Sequence, residues 1–449
     1  FFIITNLVNA QLSGTYTISS SGGDFTSLQN AIDQIKSQGT SGDVTLQYAS
    51  GKYYNNGDFT NLDNSLGSNT LKISSSSLGD VSLIYDSTGY HKSDTSKQFI
   101  IRNSGKIVFE NLIIKATEFD PDNDLHAYFK VREEHDLTIE NCRFNGSRNS
   151  LNSTSHFINI GSISFFSDET ADGKIAINNC YIDSLSEMLN AYSNIFSTSP
   201  DILDISITNS TIYSTGDIIQ SFSLPEKLLV RSNIFRNHDV GFVFYNGRGV
   251  IAQDFIFEKN IFYNIYDQNI QLNSFRGSSK DRCYIANNIF TTPAPANDFL
   301  ALAIYNPVKI GVYYNNFYAI DPQFMLYLTL DDTSDMDFQN NIIKSDEAYA
   351  AIYYAFNDAN ADQAINATNN NYHIVQNDSG LFYVYTDTKI RFYDSLDVLQ
   401  NNFQVEQNSL AVDPFYQSDS LLDPNNPALK ESGVSVSAVT DDFNGDSRD

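Results

Sequence analysis

Tryptophan is absent from this chain of 449 residues, only three residues are cysteine, and 18% of residues are charged. Three cysteines are too few for the disulfide scaffold that holds many small secreted domains together. No stretch reaches the roughly 18 consecutive apolar residues of a transmembrane helix, so no membrane span is expected. Helical repeats are excluded as well, because no amphipathic helical pattern recurs along the chain.

Basic residues are scarce: 27 Lys and Arg stand against 54 Asp and Glu, which gives a net charge of −27. Nucleic acid is therefore not an expected partner, because its phosphates need a basic surface. Anionic membrane surfaces are disfavoured for the same reason. Strongly anionic polysaccharides are disfavoured too, unless a metal ion mediates the contact.

What the chain does contain is a six-residue phrase that recurs about ten times: apolar, polar, Asn, small or Asn, any residue, large apolar. The phrases begin at Phe109, Ile139, Ile177, Ile207, Val230, Phe257, Ile285, Val312, Phe338 and Ala367. Successive starts lie between 23 residues (207 to 230) and 38 residues (139 to 177) apart. Periods in this range are typical of repeat proteins whose units are stable only when stacked.

Each phrase predicts a strand, a sharp turn and a second strand. Another apolar residue lies two positions before each phrase, and period-two alternation puts both on one face of a strand. Asn tolerates a left-handed backbone, so the Asn at the third position is expected to break the strand. Candidates for a third strand lie at 242–245, 270–275, 300–305, 326–330, 351–356 and 381–385. The expected fold is all-β: a parallel β-helix of about a dozen coils.

The fourth position of the phrase changes character along the chain. It is occupied by Leu112, Cys142, Cys180 and Ser210, and then by Asn233, Asn260, Asn288, Asn315, Asn341 and Asn370. Asparagines stacked in register predict a ladder in which each amide bonds the next coil, since a buried Asn without partners is costly. Cys142 and Cys180 are expected in neighbouring coils, either as stacked free thiols or as a disulfide. Cys283 falls on an inward column.

The N-terminal residues carry two further signals. Residues 1–11 are interpreted as the remnant of a secretory signal, because an apolar run ends at the small-residue site Val8-Asn9-Ala10. The alternative is an apolar first strand. Residues 12–43 predict a strand and then an amphipathic helix capped by Thr26 or Ser27. We expect the helix to cover the open end of the stack and hide its unpaired backbone groups.

Several segments resemble known proteins. Residues 24–32 resemble the capping helix of secreted right-handed parallel β-helix proteins of the pectin-lyase-like superfamily. Residues 12–18 and 51–54 are similar to Gram-negative cell-surface β-helix proteins, and the motifs within 413–448 resemble their closing motif. The resemblance implies right-handed coils over 44–415 and a truncated closing segment over 416–449. It also implies a secreted, extracellular or outer-surface location, and it says little about activity.

Enzymes of that superfamily act in a groove outside the stacked strands. The acidic pair and Arg of pectinesterases have no match here, nor do the Gly-His and Arg-x-Lys of polygalacturonase-like hydrolases. For a lyase, Lys130 and Arg132 are candidates for a base and a charge neutraliser, since Phe129 and Val131 would point inward from the same strand. The alternative is a solvated strand face. His238 is a further candidate base, with a surface turn as the alternative.

A cation site is a further hypothesis. Asp120, Asp122 and Asp124 alternate as in loops that bind hard cations, although the Gly and the final Glu of an EF-hand are missing. The residues Asp442 and Asp446 belong to a similar short run. Ca²⁺ is the one cofactor that the sequence suggests.

Tyrosine is abundant, with 27 residues, and many of them fall on the third strand. The candidate ligand-binding residues are Tyr128, Tyr245, Gln271, Asn273, Tyr305 and Tyr327. Outward aromatic rings with a polar handle suit a recognition surface for a sugar chain. The alternative is that cross-strand aromatic pairs only stabilise the sheet.

Three functions stay open at this point. The first is a non-catalytic surface protein that binds a polysaccharide or cell-surface glycan, or mediates adhesion. The second is a polysaccharide lyase or glycoside hydrolase acting in a groove on the helix face. The third is a structural spacer. The sequence does not indicate an oligomeric state.

Overall fold

The computed structural model describes residues 11–54, 57–85, 99–102, 104–116, 129–132, 135–145, 147–149, 158–160, 163–167, 173–183, 187–193, 203–213, 217–221, 224–238, 240–246, 249–265, 267–295, 299–358, 361–377, 381–386, 389–416 and 422–448. The chain divides into two compact units, Phe1–Ser186 and Glu187–Asp449. No helix in the described part is long and apolar enough to cross a bilayer.

The first unit contains two helices and a series of short strands. The helices are α1 (Leu28–Gln38) and α2 (Asp63–Leu66). The strands are β1 (Leu12–Ile18), β2 (Thr40–Tyr48), β3 (Gly51–Tyr54), β4 (Gly57–Asp58), β5 (Thr70–Ser74), β6 (Val81–Tyr85), β7 (Phe99–Arg102), β8 (Lys106–Glu110), β9 (Ile113–Ala116), β10 (Phe129–Arg132), β11 (His135–Glu140), β12 (Arg143–Asn145), β13 (Ser147–Asn149), β14 (Ile158–Ile160), β15 (Ile163–Ser167), β16 (Gly173–Asn178) and β17 (Tyr181–Asp183).

These strands form three parallel sheets that the chain visits in turn. Sheet A, before the Asn turn, has the order β1-β2-β5-β8-β11-β16. Sheet B, after the turn, has the order β3-β6-β9-β12-β17. Sheet C, the third strand of each coil, has the order β4-β7-β10-β15. The strands β13 and β14 form a separate antiparallel pair.

The second unit continues the numbering. Its strands are β18 (Glu187–Ser193), β19 (Leu203–Thr208), β20 (Thr211–Tyr213), β21 (Asp217–Ser221), β22 (Lys227–Arg231), β23 (Ile234–Arg236), β24 (Val240–Tyr245), β25 (Asp254–Glu258), β26 (Ile261–Tyr263), β27 (Gln268–Asn273), β28 (Cys283–Ala286), β29 (Ile289–Pro295), β30 (Leu300–Tyr305), β31 (Val308–Tyr313), β32 (Asn316–Ile320), β33 (Phe324–Leu330), β34 (Asp335–Gln339), β35 (Ile342–Ala348), β36 (Ala350–Phe356), β37 (Ile365–Thr368), β38 (Asn371–Asn377), β39 (Phe382–Thr386) and β40 (Lys389–Tyr393). Helix α3 (Leu396–Asn402) and two 3-10 turns, Ala361–Gln363 and Pro427–Leu429, complete it.

The same three-sheet arrangement recurs in the second unit. Sheet A has the order β19-β22-β25-β28-β31-β34-β37, and sheet B has the order β20-β23-β26-β29-β32-β35-β38. Sheet C runs from β18 through β21, β24, β27, β30, β33 and β36 to β39, and β40 then pairs antiparallel with β39. Parallel strands joined by crossovers are right-handed in nearly all proteins. The chain is therefore a right-handed parallel β-helix protein, as the sequence predicted.

The predicted inward columns are buried throughout. Each phrase begins and ends with a buried side chain, as at Phe109 and Ile114 or at Phe257 and Phe262. The phenylalanines at the ends of successive phrases stack face to face: the Phe262 and Phe290 ring centroids lie 4.7 Å apart with an interplanar angle of 5°. Aromatic stacking between coils therefore adds to the apolar burial that holds the coils together.

The turn after the strand of sheet A is left-handed, as predicted. The third residue of every phrase has φ between 49° and 61°: Asn111, Asn141, Asn179, Asn209, Ser232, Lys259, Asn287, Tyr314, Asn340 and Asn369. Ser, Lys and Tyr pay a steric penalty in this region that Asn largely avoids. Their presence in the same conformation shows that the stacked coils impose the turn even where the local sequence does not favour it.

The predicted N-terminal helix is confirmed as α1. The Ser27 hydroxyl accepts a hydrogen bond from the backbone N–H of Asn30, so Ser27 rather than Thr26 is the N-cap. The ammonium of Lys36 donates to the Asp58 carbonyl on β4 across 2.9 Å. A Cβ at Gly57 would come within 3.1 Å of the Ile32 side chain, so the helix lies close against β4. Its role as a cap for the stack stays a prediction.

Candidate functional site

The outward surface of sheet C in the second unit carries the candidate ligand-binding residues. Strand register lines them up in two rows, which we together call the tyrosine face. The first row is Val243, Gln271, Ala303, Tyr327, Tyr353, Tyr383 and Phe392. The second row is Tyr245, Asn273, Tyr305, Thr329, Ala355, Tyr385 and Ile390. The residues that alternate with these rows along each strand, such as Phe242 and Phe244, are buried in the core.

The structure places five of the six candidates on this face. Tyr245, Gln271, Asn273, Tyr305 and Tyr327 are all half-buried members of the two rows. Tyr128 lies outside the described residues. The predicted outward orientation of the five is therefore confirmed, and their part in binding stays a prediction.

The tyrosine rings are stacked along the first row. Tyr327 and Tyr353 have ring centroids 4.2 Å apart and an interplanar angle of 5°. Tyr353 and Tyr383 follow at 4.8 Å and 21°. In a stack of this kind the ring faces cover each other, so the ring edges and the hydroxyls are what the rings offer to solvent. The middle of the row therefore shows the cross-strand aromatic contacts of the structural alternative.

At the β40 end of the face the rings turn perpendicular to one another. Phe392 meets Tyr383 at 86° and Tyr349 at 83°, with centroids 4.7 Å and 5.3 Å apart. Phe324 meets Tyr349 at 85° and Tyr383 at 69°. We call these four residues, Phe324, Tyr349, Tyr383 and Phe392, the aromatic corner. Tyr349 is 41% exposed and Phe392 is 39% exposed.

Two amide groups next to the tyrosine face lack hydrogen-bond partners within the described residues. The Nδ2 of Asn273 and the Oδ1 of Asn306 are both buried and unpaired. Asn273 lies between Tyr245 and Tyr305 in the second row, and Asn306 follows Tyr305 in the chain. A buried polar atom without a partner is costly, so each of these atoms calls for a partner such as an ordered water.

The tyrosine face carries no formal charge. None of its fourteen row positions is Asp, Glu, Lys, Arg or His. Burial raises the pKa of Tyr305, Tyr353 and Tyr383, and neighbouring tyrosines raise each of these values further. These hydroxyls therefore stay protonated at neutral pH and act as neutral donors and acceptors.

Of the three catalytic candidates, the structure describes the side chain of His238 alone. Phe129 and Val131 are buried on β10, as predicted, and the structure describes only the backbone of Lys130 and Arg132. His238 does not lie in a surface turn: its side chain is fully buried, and its Nε2 lies 3.0 Å from the Ile212 carbonyl oxygen. A carbonyl only accepts, so Nε2 carries the proton. The surface-turn alternative is therefore wrong, and a role of His238 as a base stays a prediction.

The cation candidates Asp120, Asp122 and Asp124 lie outside the described residues. In the second acidic run, the Asp442 carboxylate accepts hydrogen bonds from the backbone N–H groups of Asn444 and Asp446, which makes the run a closed turn. Within the described part of the chain, no three His, Cys, Asp or Glu side chains are placed to hold a metal.

The predicted asparagine ladder is present in the second unit. The Oδ1 of Asn288 accepts from both the backbone N–H and the side-chain amide of Asn260, at 3.0 and 2.9 Å, and the same pattern links every neighbouring pair from Asn233 to Asn370. Ser210 precedes the ladder, and its backbone N–H donates to the Asn233 side chain. All six asparagines are buried, and their amides also bond carbonyls of the preceding coil. The ladder is structural.

Cys142 and Cys180 are free buried thiols in neighbouring coils, which was one of the two predicted alternatives. Burial is the main cause that raises the pKa of both thiols, that of Cys180 to about 12. Cys283 is buried and free as well, as its inward column predicted.

A feature that the sequence did not reveal is the docking of the C-terminal residues 422–448, which we call the C-terminal segment. It lies along the left-handed turns of the second unit, where the Asn340 side chain exchanges two 2.8 Å hydrogen bonds with the backbone of Val434. The Arg448 guanidinium stacks 3.8 Å from the Tyr314 ring centroid and donates to the Asn287 side chain. A cavity of about 520 Å³ lies between the segment and these turns. The side chains of Asn287 and Asn340, which line this cavity, form hydrogen bonds with the C-terminal segment.

Comparison with known proteins adds little about chemistry. No family model and no curated protein sequence matches the chain. The chain is similar to crystal structures of two mutants of the periplasmic alginate epimerase AlgG. For the double mutant, identity is 11% over 82% of this chain and 77% of that chain, with a TM-score of 0.43. For the single mutant, identity is 11% over 83% and 77%, with a TM-score of 0.40.

Proposed function

We propose that this chain is a non-catalytic extracellular or cell-surface protein whose tyrosine face binds a glycan. Location rests on the signal-like N-terminal residues and on the resemblance of its opening and closing motifs to secreted β-helix proteins. The proposed glycan binding rests on the residues of the tyrosine face.

The observation that carries the non-catalytic part is the absence of Asp, Glu, Lys, Arg and His from the fourteen positions of the tyrosine face. Hydrolysis of a glycosidic bond normally requires two carboxyl groups placed on either side of it. Elimination from a uronate requires a base and a charge neutraliser. The tyrosines do not supply the base, because burial raises the pKa of Tyr305, Tyr353 and Tyr383 above the ordinary value.

The same face is well suited to binding sugar hydroxyls. Its rows present tyrosine hydroxyls from successive coils, which are about 4.8 Å apart in a parallel sheet. The amides of Gln271 and Asn273 lie in line with those hydroxyls. A linear glycan lying along the rows would meet these groups one after another.

Binding is tested with the purified chain on a glycan array, followed by calorimetry on each positive sugar. Tyr327→Phe and Tyr353→Phe together keep the stacked rings and remove two hydroxyls, so we expect affinity to fall about tenfold while thermal stability stays the same. Tyr54→Phe is the matched control, because Tyr54 is 69% exposed and lies in the first unit. Silence across neutral and acidic sugars would remove the binding proposal and leave a structural spacer.

The enzymatic alternative has its own test. A lyase using Lys130 and Arg132 would release unsaturated products from alginate, pectin or chondroitin, which absorb in the ultraviolet. We expect no increase in absorbance with any of the three. Turnover that is lost in Lys130→Ala would establish the lyase and overturn the non-catalytic proposal.

A further inference from the structure

The outward surfaces of sheet A and sheet C in the second unit differ in charge. The outward side of sheet A carries ion pairs: Arg231 with Glu258 at 2.7 Å, and Lys280 with Asp335 and Asp337 at 2.5 and 2.8 Å. The tyrosine face carries none at its fourteen positions, although the chain holds 81 charged residues (27 + 54). The neutrality therefore belongs to this face and not to the protein as a whole.

Strand β40, at the edge of the tyrosine face, carries two basic residues. Lys389 and Arg391 alternate with Ile390 and Phe392 along β40, and the last two continue the outward rows. Lys389 and Arg391 are both exposed, and neither belongs to the two rows. No cation among the row positions is available to pair with a carboxylate or sulfate on a ligand.

An anionic glycan would meet an unfavourable environment on this face. Its carboxylates would leave water without gaining a counter-charge, which costs free energy. The net charge of −27 would also repel it at low ionic strength. Neutral hydroxyls lose much less, because tyrosine hydroxyls and side-chain amides replace the hydrogen bonds they made with water.

The aromatic corner exposes apolar ring surface, which the middle of the tyrosine face lacks. In the stacked row each ring face is covered by its neighbour, whereas Tyr349 and Phe392 meet at 83° and are 41% and 39% exposed. Perpendicular contact covers one face of one ring only, which leaves apolar ring surface for a ligand. Phe324 and Phe392 have no polar atom, so the corner matches an apolar surface such as the C–H face of a pyranose ring.

We infer that the partner of the tyrosine face is an uncharged glycan, and that the aromatic corner of Phe324, Tyr349, Tyr383 and Phe392 seats one of its pyranose rings by the C–H face. This inference rests on the proposed glycan binding and specifies its ligand. Continuity supports the placement, because Tyr383 and Phe392 are consecutive members of the first row. A chain that occupies the corner is thereby aligned with the tyrosine hydroxyls.

The test compares neutral and acidic polysaccharides. β-Glucan, galactomannan and arabinoxylan are the neutral probes, and polygalacturonate and alginate are the acidic ones, each measured by affinity electrophoresis at low and high salt. We expect retardation by at least one neutral probe, independent of salt. We expect none by the acidic probes at either salt concentration, because screening removes long-range repulsion but does not supply a counter-charge.

Variants locate the contact. Tyr349→Ala combined with Phe392→Ala should weaken neutral binding about tenfold, whereas Val375→Ala, which removes a 56% exposed side chain on β38, should not. If the double alanine variant perturbs folding, Tyr349→Leu takes its place. This variant keeps apolar bulk at the position and should retain part of the affinity. Thr329→Lys places a cation in the second row and should allow retardation by polygalacturonate.

The outcomes distinguish the inferred ligand from the proposed glycan binding. Acidic probes that bind as well as neutral ones would overturn the inference and leave the proposed glycan binding standing. Neutral binding that survives loss of Tyr349 and Phe392 would overturn the placement at the aromatic corner. Absence of binding to every probe would remove the proposed function itself, and the inference with it.

Discussion

The side-chain amide of Asn370 donates to the Glu406 carboxylate across 3.0 Å, so the asparagine ladder ends on a buried acid. The other carboxylate oxygen accepts the hydroxyls of Tyr354 and Tyr372, each at 2.5 Å. Glu406 is fully buried, and the Ser409 hydroxyl also donates to it. One side chain therefore satisfies the last amide of the ladder and two tyrosines of the core.

Glu406 is expected to make the stability of the second unit depend on pH. Burial raises the pKa of Glu406 despite hydrogen bonds that lower it, so the folded chain keeps this proton to a higher pH than the unfolded chain. Its contribution is fully present below the ordinary Glu pKa and is lost as pH rises through the raised pKa of the folded state. Urea unfolding at a series of pH values should show this loss in the native chain and a flatter profile in Glu406→Gln.

The surface variant Glu431→Gln serves as the control, because that residue is exposed. Glu406→Ala should cost about 3 kcal/mol at low pH and less as pH rises, since it leaves buried tyrosine hydroxyls without an acceptor. Identical pH profiles for the native chain and Glu406→Gln would show that Glu406 does not titrate as described.

The ladder positions should tolerate an apolar replacement poorly, although a leucine occupies the equivalent position 112 in the first unit. Asn288→Leu deprives Asn260 and Phe257 of partners that no water can replace in the core. We expect a loss of about 3 kcal/mol in the free energy of unfolding. Asn316→Leu, at a half-buried site with a 3.1 Å bond to the Leu422 carbonyl, should cost about 1 kcal/mol. Equal losses in the two variants would argue against the ladder as a source of stability.

The C-terminal segment should open locally when its asparagine contacts are removed. Asn340→Ala deletes both hydrogen bonds to the Val434 backbone. We expect amide exchange around Val434 to accelerate about tenfold, with little change in the unfolding midpoint of the coils. Asn444→Ala, at an exposed site within the segment, should leave exchange unchanged. A global loss of stability in Asn340→Ala would mean that the segment and the coils unfold as one.

The three cysteines should resist thiol reagents in the folded chain. Burial raises the pKa of Cys142, Cys180 and Cys283, so the reactive thiolate is scarce at pH 8 and the sulfurs are shielded. Reaction with a chromogenic disulfide should be negligible before unfolding, and three thiols should react after addition of denaturant. Detection of fewer than three thiols in the unfolded chain would indicate a disulfide, the other alternative that the sequence left open.

The periodic part of the structure could be read from the sequence because one coil repeats the chemistry of the next. The inward columns, the left-handed turns and the asparagine ladder are each formed by residues that occupy the same position in every phrase. The outward rows on sheet C followed from the same alternation, which is why Tyr245, Tyr305 and Tyr327 were placed on one face. A period-two pattern fixes the side of a strand, whatever the neighbouring coils do.

The rest could not be predicted, because it depends on contacts between residues far apart in sequence. His238 stands in a polar stretch that resembles a turn, yet it is buried, with its Nε2 3.0 Å from the carbonyl oxygen of Ile212, 26 residues away. The stacking of Tyr327 on Tyr353 depends on side-chain rotation, and alternation does not specify it. The partner of Glu406, Tyr354, is 52 residues away. Only three-dimensional register brings these groups together.

Hydroxyl-radical footprinting with the neutral polysaccharide that binds best tests the central claim most directly. The account predicts that the bound glycan lowers oxidation of Tyr349, Tyr385 and Phe392, while Tyr54 in the first unit is oxidised at the same rate with and without ligand. Protection of the exposed Phe415 and Val375, with the tyrosine face still fully reactive, would contradict it.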